Sequence, residues 1–242
     1  MSPLASRSMD QRLAASRLRR PREHLVASDG LAQLAGPTGP GGLVVGLDQE
    51  RRPVSVRLFD GEPIRLAVVG DPYVVRVLAF RAVAMGARIR IVTARREVWQ
   101  SLSDALGVDR RLVLLVPPGP PPAAAGSLAR PVLTVLDSGS LRADTRRAGA
   151  SGATGRSAGT VLTLLAAVSD SAMMVLRTAH LTLLPRCDHP QARRACAVLG
   201  LDSGLAPKLV YAPDDGMALV ADGEMALLRL SPTQIERGLL SG

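Results

Sequence analysis

The sequence predicts an α/β protein whose mostly parallel, doubly wound sheet has antiparallel edge strands. Apolar residues make up 47% of the 242 residues and aromatic residues only 2%, so the core is built from aliphatic side chains. Continuous aliphatic runs are typical of parallel strands that are buried on both faces. These runs alternate with segments of helical spacing through the middle of the chain, which favours a sheet with helices on both faces.

The individual elements follow from the periodicity of apolar residues and from turn residues between them. Strands are predicted over residues 43–48, 53–59, 64–70, 88–93, 112–116, 131–137, 160–168, 180–184, 208–211, 217–221 and 224–230. Helices are predicted over residues 73–85, 97–106, 171–178, 190–199 and, after a Ser231 cap and Pro232, 231–237. The first two strands form a hairpin, and the last short strands supply the antiparallel edge.

The chain divides into a tail and one domain. Residues 1–41 are arginine-rich and end in a run of glycine and proline, which predicts a basic, disordered N-terminal tail or a start codon assigned too early. The alternative is an arm that docks on a membrane or a partner. Residues 42–242 form a single α/β domain, in which residues 138–159 have little to bury and predict a mobile loop.

The formal net charge of +9 comes almost entirely from arginine, since Lys208 is the only lysine. GC-rich coding accounts for much of this arginine, but a basic surface also attracts nucleic acid, acidic proteins and anionic lipid. The scarcity of aromatic residues removes the stacking platform that single-strand binders use. Nucleic-acid binding is therefore the weaker alternative, because it depends on charge alone.

Cysteine usage and hydropathy indicate the compartment. Two cysteines, Cys187 and Cys196, make no disulfide framework, which is typical of a reducing compartment. No signal peptide is evident, and the longest apolar run, residues 161–168, is far too short to span a bilayer. We expect a cytoplasmic protein, with peripheral contact between the basic tail and the inner face of a membrane as a further possibility.

The turn after the third strand has the strand–glycine–helix form that places backbone N–H groups around a phosphate. In the dinucleotide fingerprint the first, third and sixth positions are glycine, but here they are Gly70, Pro72 and Val75. Proline lacks an N–H, and valine would block close packing of the helix. A nicotinamide-type enzyme with an atypical phosphate turn therefore stays an alternative rather than the main interpretation.

The P-loop template can be placed on residues 70–77. Gly70 matches its first glycine, whereas Val75 replaces the second glycine, Arg76 the lysine and Val77 the hydroxyl residue that binds magnesium. Asp71 adds a negative charge where phosphate would lie. A valine side chain cannot ligate a cation, so this turn has lost its metal-binding hydroxyl.

A second nucleotide-site feature is the aliphatic strand that ends at Asp137, an acid in the position that holds magnesium in P-loop enzymes. The next residue is Ser138, so no adjacent carboxylate can activate water. The candidate phosphate-binding residues are Gly70, Asp71, Arg76 and Asp137, as the remains of a nucleotide site. No catalytic residue, metal ligand set or cofactor is predicted.

Three segments give the chain a resemblance to the FtsK/SpoIIIE-like P-loop ATPases, particularly those of actinobacterial type VII secretion systems. Residues 42–59 resemble their lead-in strands, residues 64–93 their P-loop unit without its lysine, and residues 214–230 their closing hairpin. The resemblance implies a P-loop or Rossmann-like sheet. Since positions 75–77 and 138 depart from the family pattern, it also implies a degenerate, non-catalytic domain that binds a protein partner or regulates a secretion machine.

A metal site near Cys187, His189 and Cys196 is a further possibility, because two thiols and an imidazole lie within ten residues. Zinc needs about four ligands at familiar spacings, and only Asp188 or the distant His180 is available to complete the set. We therefore expect these cysteines to pack in the core.

Overall fold

The computed structural model of the protein describes residues 42–59, 64–106, 112–118, 130–138 and 159–240. The strands are β1 Leu43–Leu47, β2 Pro53–Val56, β3 Ile64–Val69, β4 Arg88–Val92, β5 Val113–Val116, β6 Val132–Asp137, β7 Gly159–Leu165, β8 Leu181–Pro185, β9 Gly216–Ala221 and β10 Glu224–Arg229. The helices are α1 Pro72–Ala84, α2 Gln100–Ala105, α3 Met173–Thr178, α4 His189–Leu199, α5 Ala206–Val210 and α6 Gln234–Leu240. The predicted tail lies outside the described residues, as does the predicted loop apart from Ser138 and Gly159.

All ten strands belong to one sheet, in the order β2-β1-β10-β9-β8-β3-β7-β6-β4-β5. The strands from β8 to β5 in this order run parallel, and β9, β10, β1 and β2 are antiparallel to their neighbours. The predicted fold class, a mostly parallel sheet with antiparallel edge strands, is confirmed. Strand β1 joins β10 through the pair Leu47 and Arg229.

Two apolar clusters cover the two faces of the sheet, which confirms the doubly wound arrangement. One cluster contains the buried side of α1 together with Trp99, Leu102 and Leu240, so α1, α2 and α6 share this face. The other contains Leu176, Cys196 and Leu209, from α3, α4 and α5. Aliphatic side chains dominate both clusters, as expected from the low aromatic content.

The two long helices begin and end at residues suited to those positions. An aspartate caps each N-terminus, Asp71 in α1 and Asp188 in α4, and a proline follows in the first turn. Helix α4 ends at Gly200, which adopts the left-handed conformation that glycine accepts without strain. No helix in the described ranges is both long and apolar enough to cross a membrane.

Two sequence predictions about local structure are wrong. Residues 208–211 were expected to form a strand, but Pro207 lies in the first turn of helix α5, which ends at Val210. The short run at residues 209–211, after Lys208, does not distinguish a strand from a short buried helix. The cap of the last helix is Thr233 rather than Ser231, because the Thr233 hydroxyl accepts from the Glu236 N–H at 3.2 Å. The Glu236 carboxylate accepts from the Thr233 N–H at 2.7 Å, which completes a capping box.

Candidate functional site

The candidate site lies where the chain reverses its winding direction across the sheet. After β3 the chain enters α1 on one face, whereas after β7 it enters α3 on the opposite face. Strands β3 and β7 are direct neighbours, and open α/β sheets bind ligands beyond the carboxyl ends of strands at such a point. Here the Gly70 N–H donates to the Leu165 carbonyl at 2.8 Å, which joins the two strand ends.

Gly70 begins the turn between β3 and α1. Its φ of +109° is one that side chains with a Cβ rarely adopt, so glycine is required by conformation. A Cβ at this position would lie 3.2 Å from Cγ of Pro185, at the end of β8. Glycine is therefore needed here, both for the backbone conformation of the turn and for the close approach of Gly70 to the end of β8.

Asp71 occupies the N-terminus of α1, which is where an anion would bind in a P-loop. Its side chain accepts a hydrogen bond from the Tyr73 N–H at 2.7 Å. The Asp71 carbonyl accepts from the Val74 N–H at 3.2 Å, and Pro72 between them has no N–H to offer. The protein's own carboxylate thus takes the helix-end position that a phosphate would need.

The next template positions lie within helix α1 and face the core. Val75 and Val77, which replace the second glycine and the hydroxyl of the template, are fully buried in the apolar cluster under α1. Their burial leaves neither a backbone cradle nor a cation ligand at these positions. Both valines stabilise the packing of α1 on the sheet.

Arg76 stands at the template's lysine position and is 9% exposed. Its Nη1 donates to the Ser101 hydroxyl at 2.7 Å and to the Val98 carbonyl at 3.3 Å, while its guanidinium lies 5.8 Å from the centre of the Tyr73 ring. These contacts bind α1 to the segment that follows β4. The structure directs this charge to the 98–101 segment rather than to the phosphate turn.

Asp137 ends β6 and is completely buried. One carboxylate oxygen accepts from Thr93 Oγ1 at 2.9 Å, Trp99 Nε1 at 3.1 Å and Arg95 Nε at 3.2 Å. The other accepts from Arg95 Nη2 at 2.5 Å. Among the described residues, four donor atoms thus converge on this carboxylate, three of them on one oxygen.

The pair formed by Arg95 and Asp137 has a clear electrostatic consequence. The hydrogen bond to Asp137 raises the pKa of Arg95 above its ordinary value, against the opposing effect of burial. The Arg95 side chain is 39% exposed and that of Asp137 is 0% exposed, so the arginine covers the buried carboxylate on the side towards solvent. The charge of Asp137 is compensated within the protein.

The four candidate residues from the sequence thus separate into two pairs. Gly70 and Asp71 form the turn itself, whereas Arg76 and Asp137 both contact the segment from Thr93 to Ser101. Sequence reasoning missed the partners, which are Thr93, Arg95, Trp99 and Ser101. One signal was present: Thr93 and Asp137 follow Val92 and Leu136, which are partners in the neighbouring parallel strands β4 and β6.

This donor set does not fit the nucleotide and magnesium ion that a P-loop fold would otherwise hold. The carboxylate that would ligate the metal already accepts from four donors, two of them on a guanidinium. The helix N-terminus is capped by Asp71, and Val77 cannot supply the metal-binding hydroxyl.

A cleft of about 1020 Å³ opens beside the turn, towards the antiparallel strands. Its lining includes Asp71 and Tyr73 of the turn, Pro185 of β8 and Leu230 after β10. Arg51, Arg229 and Arg237 contribute positive charge, and Asp48, Asp214 and Asp215 negative charge. An apolar surface with polar groups of both signs is typical of a binding site.

The cysteine cluster is not a metal site in the part of the chain that the structure describes. Both cysteines are free thiols, and no group of three or more possible metal ligands occurs among the described residues. Burial raises the pKa of Cys187 and of Cys196, because it disfavours the thiolate. Cys196 packs in the core of the α4 face, as expected from the sequence.

The strand order and the helices on both faces define a P-loop-like α/β fold, and solved structures share it. VirB4 of Thermoanaerobacter pseudethanolicus is similar with a TM-score of 0.58 and 9% sequence identity, over 81% of this chain and 98% of that chain. The cytoplasmic domain of the type VII secretion ATPase EccC from Thermomonospora curvata is similar with a TM-score of 0.50 and 14% identity, over 81% of this chain and 30% of that chain. At these identities the likeness shows the fold. No protein-family model and no curated protein matches the sequence.

Proposed function

We propose that this protein is a non-catalytic P-loop-type domain that acts in the cytoplasm by binding a protein partner, as a component of a secretion machine. The observation that carries the proposal is the capped N-terminus of α1. The Asp71 carboxylate accepts from the Tyr73 N–H at the place where the fold otherwise holds a phosphate. A phosphate there would have to displace this carboxylate or lie against its negative charge.

Binding of a protein partner is supported by the cleft beside the turn. The cleft of about 1020 Å³ is large enough for side chains of another molecule, and its lining combines apolar residues with charges of both signs. The secretion context is supported by the shared fold with VirB4 and with EccC, which is a type VII secretion ATPase. This support is analogy at the level of the fold.

The first test is nucleotide hydrolysis by the purified full chain with ATP and magnesium. We expect no turnover above a control without protein. Magnesium-dependent hydrolysis that disappears in Asp137→Ala would refute the non-catalytic assignment.

Nucleotide binding without hydrolysis is tested by thermal unfolding in the presence of ATP, ADP and NADH. A ligand at 100 times its dissociation constant stabilises the folded protein by about 2.7 kcal/mol. We expect no rise in melting temperature with any of the three. A rise would favour the alternative of a nucleotide-binding or dinucleotide-binding protein with an atypical phosphate turn.

The partner is tested by co-purification with the secretion ATPase of the same host. We expect capture by the full chain and weaker capture by Arg51→Glu, since Arg51 is an exposed residue in the lining of the cleft. The matched control is Arg193→Glu, an exposed arginine on α4 that does not line the cleft. Equal loss in both variants would indicate a general charge effect, and salt-dependent DNA binding would favour the nucleic-acid alternative.

A further inference from the structure

We propose that Arg95 is a resident cation that holds Asp137 in the place of a metal ion and excludes divalent cations from this carboxylate. The inference concerns the metal position and does not depend on which partner the cleft binds. Asp137 then holds Thr93, Arg95 and Trp99 in place instead of binding magnesium.

Burial of Asp137 calls for a compensating charge. The Asp137 side chain is 0% exposed, and an ionised carboxylate at that depth needs a compensating charge and hydrogen bonds. Arg95 supplies both, through Nη2 at 2.5 Å from one oxygen and Nε at 3.2 Å from the other. This two-point contact suits a planar guanidinium and a carboxylate.

The donors around Asp137 also oppose the binding of a divalent cation. Magnesium needs oxygen ligands at about 2.1 Å and keeps several waters, whereas Trp99 Nε1 and Thr93 Oγ1 already donate to the carboxylate from within the protein. A divalent cation at Asp137 would also lie beside the positive charge of Arg95, and this repulsion is poorly screened next to a buried group. Both effects oppose metal binding while Arg95 is in place.

Arg76 and Asp137, at the two template positions, contact the same segment of the chain. Asp137 binds Thr93, Arg95 and Trp99, and Arg76 binds Val98 and Ser101. The residues that would contact the metal and the phosphate thus hold one segment of this chain, from Thr93 after β4 to Ser101 in α2. Arg95 links that segment to Asp137 of the sheet, and its positive charge takes the place of the charge of a metal ion.

The experiment uses the full chain and Mn²⁺, followed by electron paramagnetic resonance of free Mn²⁺. Arg95→Gln keeps a hydrogen-bond donor but removes the positive charge. We expect this variant to bind Mn²⁺ at least about ten times more tightly than the wild type, and to lose the binding again when Asp137→Asn is added. Arg96→Gln is the matched control, because Arg96 is the exposed neighbour in the same turn, and it should behave as the wild type.

Two results would overturn the proposal. One is Mn²⁺ binding by the wild type that Asp137→Asn abolishes, and the other is equal binding by the wild type and a folded Arg95→Gln. If Arg95→Gln does not fold, the test uses Arg95→Lys and the wild type. Both keep a positive charge at position 95, so neither should show Mn²⁺ binding that Asp137→Asn abolishes, and such binding in either protein would overturn the proposal.

Trp99 supplies a second readout, because it is the only tryptophan and its ring is fully buried beside Asp137. We expect Mn²⁺ to quench its emission in Arg95→Gln and to leave the wild type unchanged. Quenching of the wild type to the same extent would contradict an excluded metal position.

Discussion

The guanidinium of Arg81 meets both carboxylate oxygens of Glu236, with Nε at 2.6 Å from one and Nη2 at 2.9 Å from the other. Arg81 lies near the end of α1, and Glu236 lies in the first turn of α6. Arg81 Nη1 also donates to the Val44 carbonyl of β1 at 2.8 Å. One side chain thereby joins β1, α1 and α6.

The Arg81–Glu236 pair predicts a stability that falls in acid. Burial raises the pKa of Glu236, but hydrogen bonds from Arg81 and Thr233 outweigh it, so the net pKa is lowered below the ordinary 4.5. Because the pKa of Glu236 is lower in the folded than in the unfolded protein, its ionised form stabilises the fold. This stabilisation is fully present above the pKa of the unfolded state, and it is lost as the pH falls through the pKa of the folded state. Urea unfolding as a function of pH should show this loss in the wild type.

Glu236→Gln should remove that pH dependence and lower the free energy of unfolding by about 3 kcal/mol near pH 7, because it leaves Arg81, whose side chain is only 15% exposed, without its charged partner. Glu224→Gln, at an exposed glutamate of β10, is the control and should change neither quantity. An acid-induced loss that persists unchanged in Glu236→Gln would refute the role of this carboxylate.

Gly70→Ala should destabilise the protein by about 2 kcal/mol, since alanine is strained at a φ of +109° and its Cβ would crowd Pro185. Gly86→Ala separates the two causes. Gly86 has a φ of +87°, but a Cβ there would meet nothing within 4 Å, so only the backbone cost of about 1 kcal/mol remains. Equal losses in thermal unfolding would show that contact with Pro185 is unimportant.

Asp71→Ala should lower the free energy of unfolding by about 1 kcal/mol, the usual effect of losing an N-terminal cap. Asp71→Ser should restore most of the loss, because a serine hydroxyl can accept from the Tyr73 N–H in the same way.

The Asp71→Ser variant also lacks the negative charge at the N-terminus of α1. If inorganic phosphate stabilises it but not the wild type in a thermal unfolding assay, then the carboxylate is what keeps anions from the turn; a similar response in both would argue against this.

Asp137→Asn should destabilise the protein by about 3 kcal/mol, towards the low end for a broken buried pair because the partly exposed Arg95 can regain water. In the double variant Asp137→Asn with Arg95→Gln, the two losses should not add, since both variants remove the same interaction. Urea unfolding followed by Trp99 fluorescence measures all three. Additive losses would mean that Arg95 and Asp137 contribute independently.

The sequence predicted the parallel sheet because its evidence is local. Aliphatic runs such as those ending at Val69 and Asp137 mark strands buried on both faces, and the structure confirms both strands. Short apolar runs carry less information, as the helix at residues 206–210 shows. Leu209 is a buried residue of this helix. In the sequence, only Pro207, which suits the first turn of a helix, distinguished a helix from a strand here.

The candidate site was predicted less completely because its contacts are distant in the sequence. Asp137 and Arg95 stand out as charged residues near strand ends, but their pairing depends on β4 lying beside β6. Arg76 matches a phosphate-binding position by spacing, while its direction depends on how Val98 and Ser101 pack on α1. Spacing in the sequence therefore identifies the candidate residues, whereas the order of the strands in the sheet determines which residues they contact.

The strand order also has a consequence for the assembly of the chain during synthesis. Among the described strands, the neighbours of the central strand β3 are β7 and β8, so β3 leaves the ribosome before either partner exists. Strand β1 likewise pairs with β10, close to the end of the described chain. Such long-range pairing slows folding and leaves aliphatic strand edges exposed in the meantime. Until β7 emerges, β3 therefore lacks both of the neighbours that it has in the folded sheet.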